Sequence, residues 1–197
     1  MTYADVFRPA ERQRGLIYDL GLVLAASLLI AVSAQVSFYF PFSPVPVSGQ
    51  TFGVLLVGAL LGSKRGFSAV VVYLAEGAMG LPVFAGGAAG AAVLAGPTGG
   101  YLVGFAVAAY LVGWLAERGW DRRFVMTILM MVLGNLVIYA LGVTRLAMIL
   151  GDFGTAITAG LVPFIVGDLL KIALATALLP TGWRFLNKVD ESEANEP

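Results

Sequence analysis

The sequence contains no cysteine and no histidine among its 197 residues. Disulfides, thiol nucleophiles, imidazole bases and zinc sites built from these side chains are therefore excluded. Charged residues are also scarce, at 12% of the chain, about half the share of a typical soluble domain. Acid–base catalysis in proteins most often uses histidine, so these absences make an enzyme an unfavourable interpretation, and no catalytic or metal site is predicted.

The rest of the composition indicates a membrane protein. Hydrophobic residues make up 59% of the chain, and repeated apolar runs of roughly 20 residues predict several helices that span the bilayer. The formal net charge is zero, and no basic block with interleaved aromatic residues predicts nucleic-acid binding. The glycines of residues 85–90 and 96–100 lack the context of a dinucleotide site or a P-loop. Any step driven by ATP therefore belongs to another chain.

The apolar runs predict one all-α integral membrane domain with six transmembrane helices. Three prolines between Phe40 and Val47 are expected to end the first helix. The second and third runs are shorter than the roughly 20 residues that a perpendicular span needs. Pro180 and Gly182 are expected to end the sixth helix, and the acidic chain from Lys188 onwards is predicted to be disordered. The predicted helices cover residues 16–39, 50–62, 67–79, 100–116, 124–150 and 156–179, with tails at 1–15 and 184–197.

The distribution of lysine and arginine predicts the orientation in the cell membrane. The first, third and fifth loops contain neither residue, and the positive-inside rule then places both tails in the cytoplasm. The basic residues of the tails and of the second and fourth loops are Arg8, Arg12, Arg14, Lys64, Arg65, Arg118, Arg122, Arg123, Arg184 and Lys188.

A glycine-rich segment, residues 76–101, separates the third and fourth predicted helices. Glycine and proline weaken helices, and unpaired backbone groups are not tolerated in contact with lipid. The segment is therefore expected to be buried in protein and to form the wall or lid of a substrate pocket on the outer side. Gly86, Gly87 and Thr98 are its candidate ligand contacts.

Four charged residues lie inside or at the ends of apolar helices, where charge is costly and usually marks function. Asp168 and Lys171 are three residues apart and share one helix face. They form either a structural ion pair or the polar floor of a ligand site. Arg145 either extends to the membrane interface or captures an anionic ligand tail, and Glu76 either lines the pocket or caps loop amides.

Uncharged hydrogen-bonding side chains complete the candidate pocket, namely those of Tyr73, Tyr101, Asn135 and Tyr139. The first helix carries Ser27 and Ala31, small residues four positions apart. Small residues at this spacing allow another helix to approach closely.

The sequence resembles the BioY family, the biotin-specific membrane subunits of energy-coupling factor (ECF) transporters. The resemblance covers nearly the whole chain. It is carried by Pro44-Val45-Pro46-Val47 followed by Gln50-Thr51, by GLPVFAGG at residues 80–87, by GPTGGYLVGF at residues 96–105, and by Gly167-Asp168 with Lys171.

The resemblance implies a six-helix subunit that binds biotin as its ligand, without a cofactor. It also implies two kinds of partner, a transmembrane coupling subunit and two cytoplasmic ATPases. Asp168 then suits the ureido N–H groups of biotin, and Lys171 suits either the ureido oxygen or the carboxylate. Ser27 and Ala31 stand where the family has a small-residue face, which implies docking of the coupling subunit there.

Two alternatives of other classes are a proton-coupled carrier that uses Glu76 or Asp168 as a relay, and an integral-membrane enzyme that uses Asp168 and Lys171 as acid and base.

Overall fold

The structure is a computed structural model that describes residues 1–194, with side chains to residue 186. It is mostly helical. The α-helices are α1 (Tyr3–Val6), α2 (Arg12–Gln35), α3 (Gln50–Leu61), α4 (Ser63–Ala78), α5 (Ala91–Ala95), α6 (Gly99–Ala116), α7 (Phe124–Leu150), α8 (Phe153–Gly160) and α9 (Ile165–Ala194). Single 3₁₀ turns lie at Ala85–Gly87, Trp120–Arg122 and Val162–Phe164, and two short strands are β1 (Ser37–Phe38) and β2 (Val47–Ser48).

Four segments of the described chain are long and apolar enough to cross a bilayer. They are α2, α6, α7 and the segment Phe153–Leu186, which contains α8 and most of α9. Helix α3 is also apolar but has only 12 residues. The chain is therefore a multi-pass membrane protein.

Helix α6 lies at the centre of the bundle, where it packs against α3, α4 and α7. Small residues make the close approach possible. A Cβ atom placed on Gly58 of α3 would lie 2.7 Å from the carbonyl oxygen of Ala109 in α6, and one on Gly104 of α6 would lie 3.0 Å from the Cα atom of Ile138 in α7. The backbones of α3 and α7 thus approach that of α6 without intervening side chains.

Two connecting segments fold over one end of this bundle. In the α2–α3 connection, β1 pairs with β2 in antiparallel register, with Ser37 opposite Ser48. In the α4–α6 connection, the amide of Gly90 donates to the carbonyl of Gly77 at 2.7 Å, and Phe84 is buried against Gly77. Gly86 and Gly87 adopt positive φ angles of 66° and 76°, a conformation that favours glycine.

The carboxyl-terminal helix differs from the prediction. Helix α9 continues through Pro180 as far as Ala194, so the expected end at Pro180 is wrong. A proline removes one backbone donor and can kink a helix without ending it. Residues 188–194, predicted to be disordered, belong to this helix, and residues 195–197 lie outside the described part of the chain.

The amino terminus is folded rather than a free tail. Thr2 is fully buried, and the Tyr3 ring lies 4.5 Å from that of Trp183 in α9, measured between ring centroids. Asp5 forms an ion pair of 2.8 Å with Arg65 of α4. These contacts attach α1 to helices that are distant in sequence.

Candidate functional site

A cavity lies between the helices and the two connecting segments. It contains about 630 Å³ of empty space, part of it open to solvent. Its lining is mostly apolar and aromatic with a few hydroxyl and amide groups, and consists of Tyr39, Val45, Pro46, Ser48, Gln50, Thr51, Phe84, Ala85, Ala88, Val93, Thr98, Tyr101, Leu102, Phe105, Ile138, Tyr139 and Phe164.

Hydrogen bonds fix the polar side chains at the start of α3. The Ser48 hydroxyl donates to Gln50 Oε1 at 2.9 Å, and Gln50 Nε2 donates to the hydroxyl of Tyr73. Tyr73 is fully buried and donates to the carbonyl of Val83 at 3.2 Å. This chain of bonds ties both connecting segments to α3 and α4, so the lining is held in place before a ligand arrives.

Three aromatic rings form one wall. Tyr101 stacks on Phe164 with 6.4 Å between ring centroids and meets Tyr139 edge to face, also at 6.4 Å. The Tyr101 hydroxyl donates to the carbonyl of Gly160 at 2.8 Å. Edge-to-face and offset stacked arrangements are the favourable ones for aromatic pairs, so this wall is rigid and suited to a flat apolar ligand.

The Asp168–Lys171 pair lies directly behind the cavity wall. Lys171 Nζ is 3.1 Å from Asp168 Oδ1, and it also donates to Thr51 Oγ1 at 2.7 Å and to Ser48 O at 2.9 Å. The Tyr139 hydroxyl donates to Asp168 Oδ2. Neither charged residue lines the cavity. Thr51, Ser48 and Tyr139 connect the pair to the cavity, because each lines it and bonds to the pair.

Asn135 also lies behind the wall, in a second and smaller cavity of about 190 Å³ of empty space. That cavity is lined by Thr51, Phe52, Leu55, Met131, Asn135, Lys171 and Ile172. The predicted contact of Asn135 with the main cavity is therefore not seen.

The glycine-rich segment contributes to the lining in part as expected. Thr98 lines the cavity, and its hydroxyl donates to the carbonyl of Val93 at 3.3 Å. Gly86 and Gly87 do not line it, although their neighbours Ala85 and Ala88 do. The two glycines, with their positive φ angles, form the turn between these two lining alanines.

Two of the charged candidates lie away from the cavity lining. Arg145 Nη2 donates to the carbonyl of Ala95 at 2.6 Å, so it anchors the last residue of α5, whose Val93 lines the cavity. Glu76 accepts a hydrogen bond of 3.3 Å from the hydroxyl of Ser27. The expectation that the Glu76 side chain lines the pocket or caps loop amides is therefore wrong, because α2 packs against α4 at this point.

Ser27 and Ala31 are buried inside the chain, with exposures of 1% and 6%. The Ser27 hydroxyl bonds to Leu24 of its own helix and to Glu76 of α4. This burial contradicts the predicted docking of another subunit on these two residues. Their small size serves the contact between α2 and α4 instead.

Several lining residues were missed, among them Tyr39, Ser48, Gln50, Thr51 and Phe84. The sequence prediction favoured charged residues because charge is rare in a membrane segment. A signal was nevertheless present for three of them, since Ser48, Gln50 and Thr51 are polar residues that directly follow a loop rich in proline and open an apolar helix.

Comparisons with known proteins give one consistent family. The model of the BioY family matches residues 8–188. The biotin transporter BioY of Thermotoga maritima is 45% identical over 150 residues, which is 76% of this chain and 86% of that protein. The probable biotin transporter BioY of Pyrococcus horikoshii is 40% identical over 160 residues, 81% of this chain and 93% of that protein.

A crystal structure of the S-component for biotin from an ECF-type ABC transporter has the same fold. It superposes with a TM-score of 0.78 at 27% identity, over 89% of this chain and 95% of that one. Sequence and fold agree, and the chain belongs to the BioY family.

Proposed function

We propose that this chain is the biotin-binding membrane subunit of an ECF-type transporter. One observation of the structure carries the proposal: a rigid aromatic cavity whose polar side chains, Ser48, Thr51 and Tyr139, are backed by the Asp168–Lys171 pair. Relatives that match most of the chain are named biotin transporters. Such a cavity suits a ligand that is apolar over most of its surface and polar at one end.

Biotin has this distribution of polarity. Its fused rings carry a ureido group with two N–H donors and one carbonyl, and an aliphatic tail ends in a carboxylate. We place the ureido group against Ser48, Thr51 and Tyr139, and the rings between Phe105 and Phe164. The Tyr139 hydroxyl donates its hydrogen bond to Asp168, so the lone pairs of the hydroxyl oxygen remain available to accept from a ureido N–H. In this arrangement Asp168 and Lys171 act on the ligand through the residues that they bond.

The carboxylate belongs at the part of the cavity that is open to solvent. No lysine or arginine is found among the residues that line the described cavity. An unpaired carboxylate is costly to remove from water, so hydration is its most favourable environment here. Arg145, which the sequence suggested for this group, is engaged with Ala95 at the end of α5.

The transport role requires partners and a fixed orientation. We propose six membrane segments, in which α3 and α4 are the two short ones, with both termini in the cytoplasm. The connecting segments that line the cavity carry no lysine or arginine, which supports an outward-facing site. Since the sequence has no nucleotide motif, a transmembrane coupling subunit and two cytoplasmic ATPases supply the energy.

The direct test is the ligand content and the biotin affinity of the purified protein. Mass spectrometry of protein from a biotin-containing medium is expected to find biotin near one molecule per chain, and titration of ligand-depleted protein is expected to show saturable heat. Protein that carries no biotin and gives no heat contradicts the proposal.

Vesicles test the transport role separately. We expect uptake of biotin to require ATP and the partner subunits. Uptake that needs no ATP and stops with an uncoupler would support a proton-coupled carrier instead.

A further inference from the structure

A buried acceptor in the second cavity has no protein partner among the described residues. Asn135 is 7% exposed, and its amide nitrogen donates to the carbonyl of Met131 at 3.1 Å. Its Oδ1 atom makes no hydrogen bond. A buried acceptor without a partner is destabilising, so its presence calls for an explanation. Lys171 also lines this small cavity.

The register of α7 and α9 places Asn135 beside Lys171. Tyr139 of α7 bonds to Asp168 of α9. Asn135 lies one helical turn before Tyr139, and Lys171 lies about one turn after Asp168, each on the same face as its neighbour. The two helices therefore present two successive levels: Tyr139 with Asp168, and Asn135 with Lys171.

All the donors of Lys171 are in use in this arrangement. An ammonium group has three donors, and here they go to Ser48 O, Thr51 Oγ1 and Asp168 Oδ1. Ser48 and Thr51 also line the substrate cavity. Each of these oxygens has a second lone pair, so a ligand N–H that bonds to one of them shares it with Lys171 and weakens the Lys171 bond. The ammonium proton concerned is then poorly paired in a buried site, which is costly for a charged group.

We infer that Asn135 is a positioning residue for Lys171, and that its Oδ1 atom accepts the hydrogen bond that Lys171 gives up when a ligand with N–H donors occupies the substrate cavity. The inference rests on the proposed function, because the ureido group of biotin supplies those donors. On this inference, the Oδ1 atom that is unpaired in the ligand-free protein acquires its hydrogen-bond partner when the ligand binds. The inference predicts that ligands that donate at this end bind more tightly than ligands that only accept.

Two substitutions of Asn135 test the inference, with biotin titration and the thermal stability of ligand-free protein as readouts. Asn135→Leu removes the acceptor at similar volume, and we expect about tenfold weaker biotin binding. The ligand-free Tm is expected to stay level or rise, because a buried unpaired oxygen is removed. Asn135→Asp keeps an oxygen at this position and attracts Lys171 away from Ser48 and Thr51. Its biotin affinity is therefore expected to equal or exceed that of the parent.

A merely structural role predicts the opposite order, since a carboxylate in the membrane core disturbs packing more than leucine does. Met131→Leu is the matched control, because it alters the same cavity without removing a polar group. The inference is overturned if Asn135→Leu binds biotin within about threefold of the parent. It is also overturned if Asn135→Asp binds biotin more weakly than Asn135→Leu, or if Asn135→Leu lowers the ligand-free Tm. The titration of the parent protein in the same series tests the proposed function independently. If the parent binds biotin and the variants bind it equally well, the inference is contradicted while the proposed function stands.

Discussion

Lys171 and Asp168 illustrate how a membrane helix accommodates two charges. Asp168 is 5% exposed, and each of its oxygens has a donor, Lys171 for one and Tyr139 for the other. Removing one member of a buried ion pair is more harmful than replacing both, because the remaining charge is left without compensation. The pair is therefore sensitive to single substitutions in a way that an exposed pair is not.

Asp168→Asn is expected to weaken biotin binding about tenfold or more. The neutral amide is a poorer acceptor for the Tyr139 hydroxyl, and its NH₂ group cannot accept from Lys171 or Thr51. The orientation of both cavity-lining hydroxyls is then lost. Isothermal titration of folded protein in detergent measures the effect, and Glu11→Gln, at the exposed start of α2, is the control for loss of one acidic charge. An affinity within about threefold of the parent would remove Asp168 from the binding site.

The sequence identifies these two charges but not the uncharged residues beside them. Charge is rare in apolar helices, so Asp168 and Lys171 are recognisable one by one. Thr51 and Ser48 are ordinary residues whose importance depends on which groups the fold brings near. The sequence predicts Asn135 in the substrate pocket, but whether it lies in or behind the cavity wall depends on the rotation of α7, which composition does not determine.

Among the elements, α1 and the end of α9 depend on each other. The Tyr3 hydroxyl donates to the carbonyl of Leu179, and Trp183 donates its indole N–H to Asp121 Oδ2 at 2.5 Å. Asp121 lies in the 3₁₀ turn between α6 and α7 and is fully buried, and its second oxygen has no partner among the described residues. Burial raises the pKa of the Asp121 carboxyl above its ordinary value of 3.8, while the Trp183 N–H, Arg122 and the amino terminus oppose the shift.

The raised pKa of Asp121 predicts a pH dependence of stability. The folded state holds the proton more tightly than the unfolded state, so folding is favoured at low pH and this contribution is lost as pH rises through the raised pKa. Asp121→Asn keeps an acceptor for Trp183 without ionising. We therefore expect the parent Tm to fall relative to that of Asp121→Asn as pH increases from about 4, with the variant at least as stable as the parent at neutral pH. Thermal unfolding of both proteins across a pH series checks this, and two parallel curves would show that Asp121 does not carry the effect.

Helix boundaries show which elements local sequence determines. The predicted and observed bounds of α7 coincide at residues 124–150, because charged loop residues precede it and Gly151, in the left-handed conformation, ends it. The predicted start of α4 at residue 67 is too late, since Ser63-Lys64-Arg65 forms its first turn rather than a loop. The continuation of α9 beyond Pro180 accompanies packing against α1, a tertiary contact that has no signature in the local sequence.

At the scale of the whole molecule, the described residues combine a mostly apolar cavity beneath the connecting segments with several apolar outer surfaces. Between Leu16 and Val32, the exposed residues of α2 are leucine, isoleucine, valine and small residues, as expected for a helix in contact with lipid or another membrane subunit. Ion pairs instead collect around α1, where Arg65 joins Asp5 and Asp19 at 2.8 and 2.7 Å. Under the proposed orientation, this charged end lies in the cytoplasm and the cavity faces outward.

The absence of cysteine makes that orientation directly testable, because every introduced cysteine is the only one in the chain. Phe42 and Gly154 are exposed in loops or at a helix start on the proposed outer side, whereas Lys64 and Arg123 are exposed on the proposed cytoplasmic side. In intact cells, a membrane-impermeant maleimide is expected to label Phe42→Cys and Gly154→Cys but to label Lys64→Cys and Arg123→Cys only after permeabilisation. The physical reason is the charge asymmetry of the loops, which opposes transfer of the basic loops across the membrane. Labelling of Lys64→Cys from outside intact cells would reverse the topology and place the cavity on the wrong side for capture of an external vitamin.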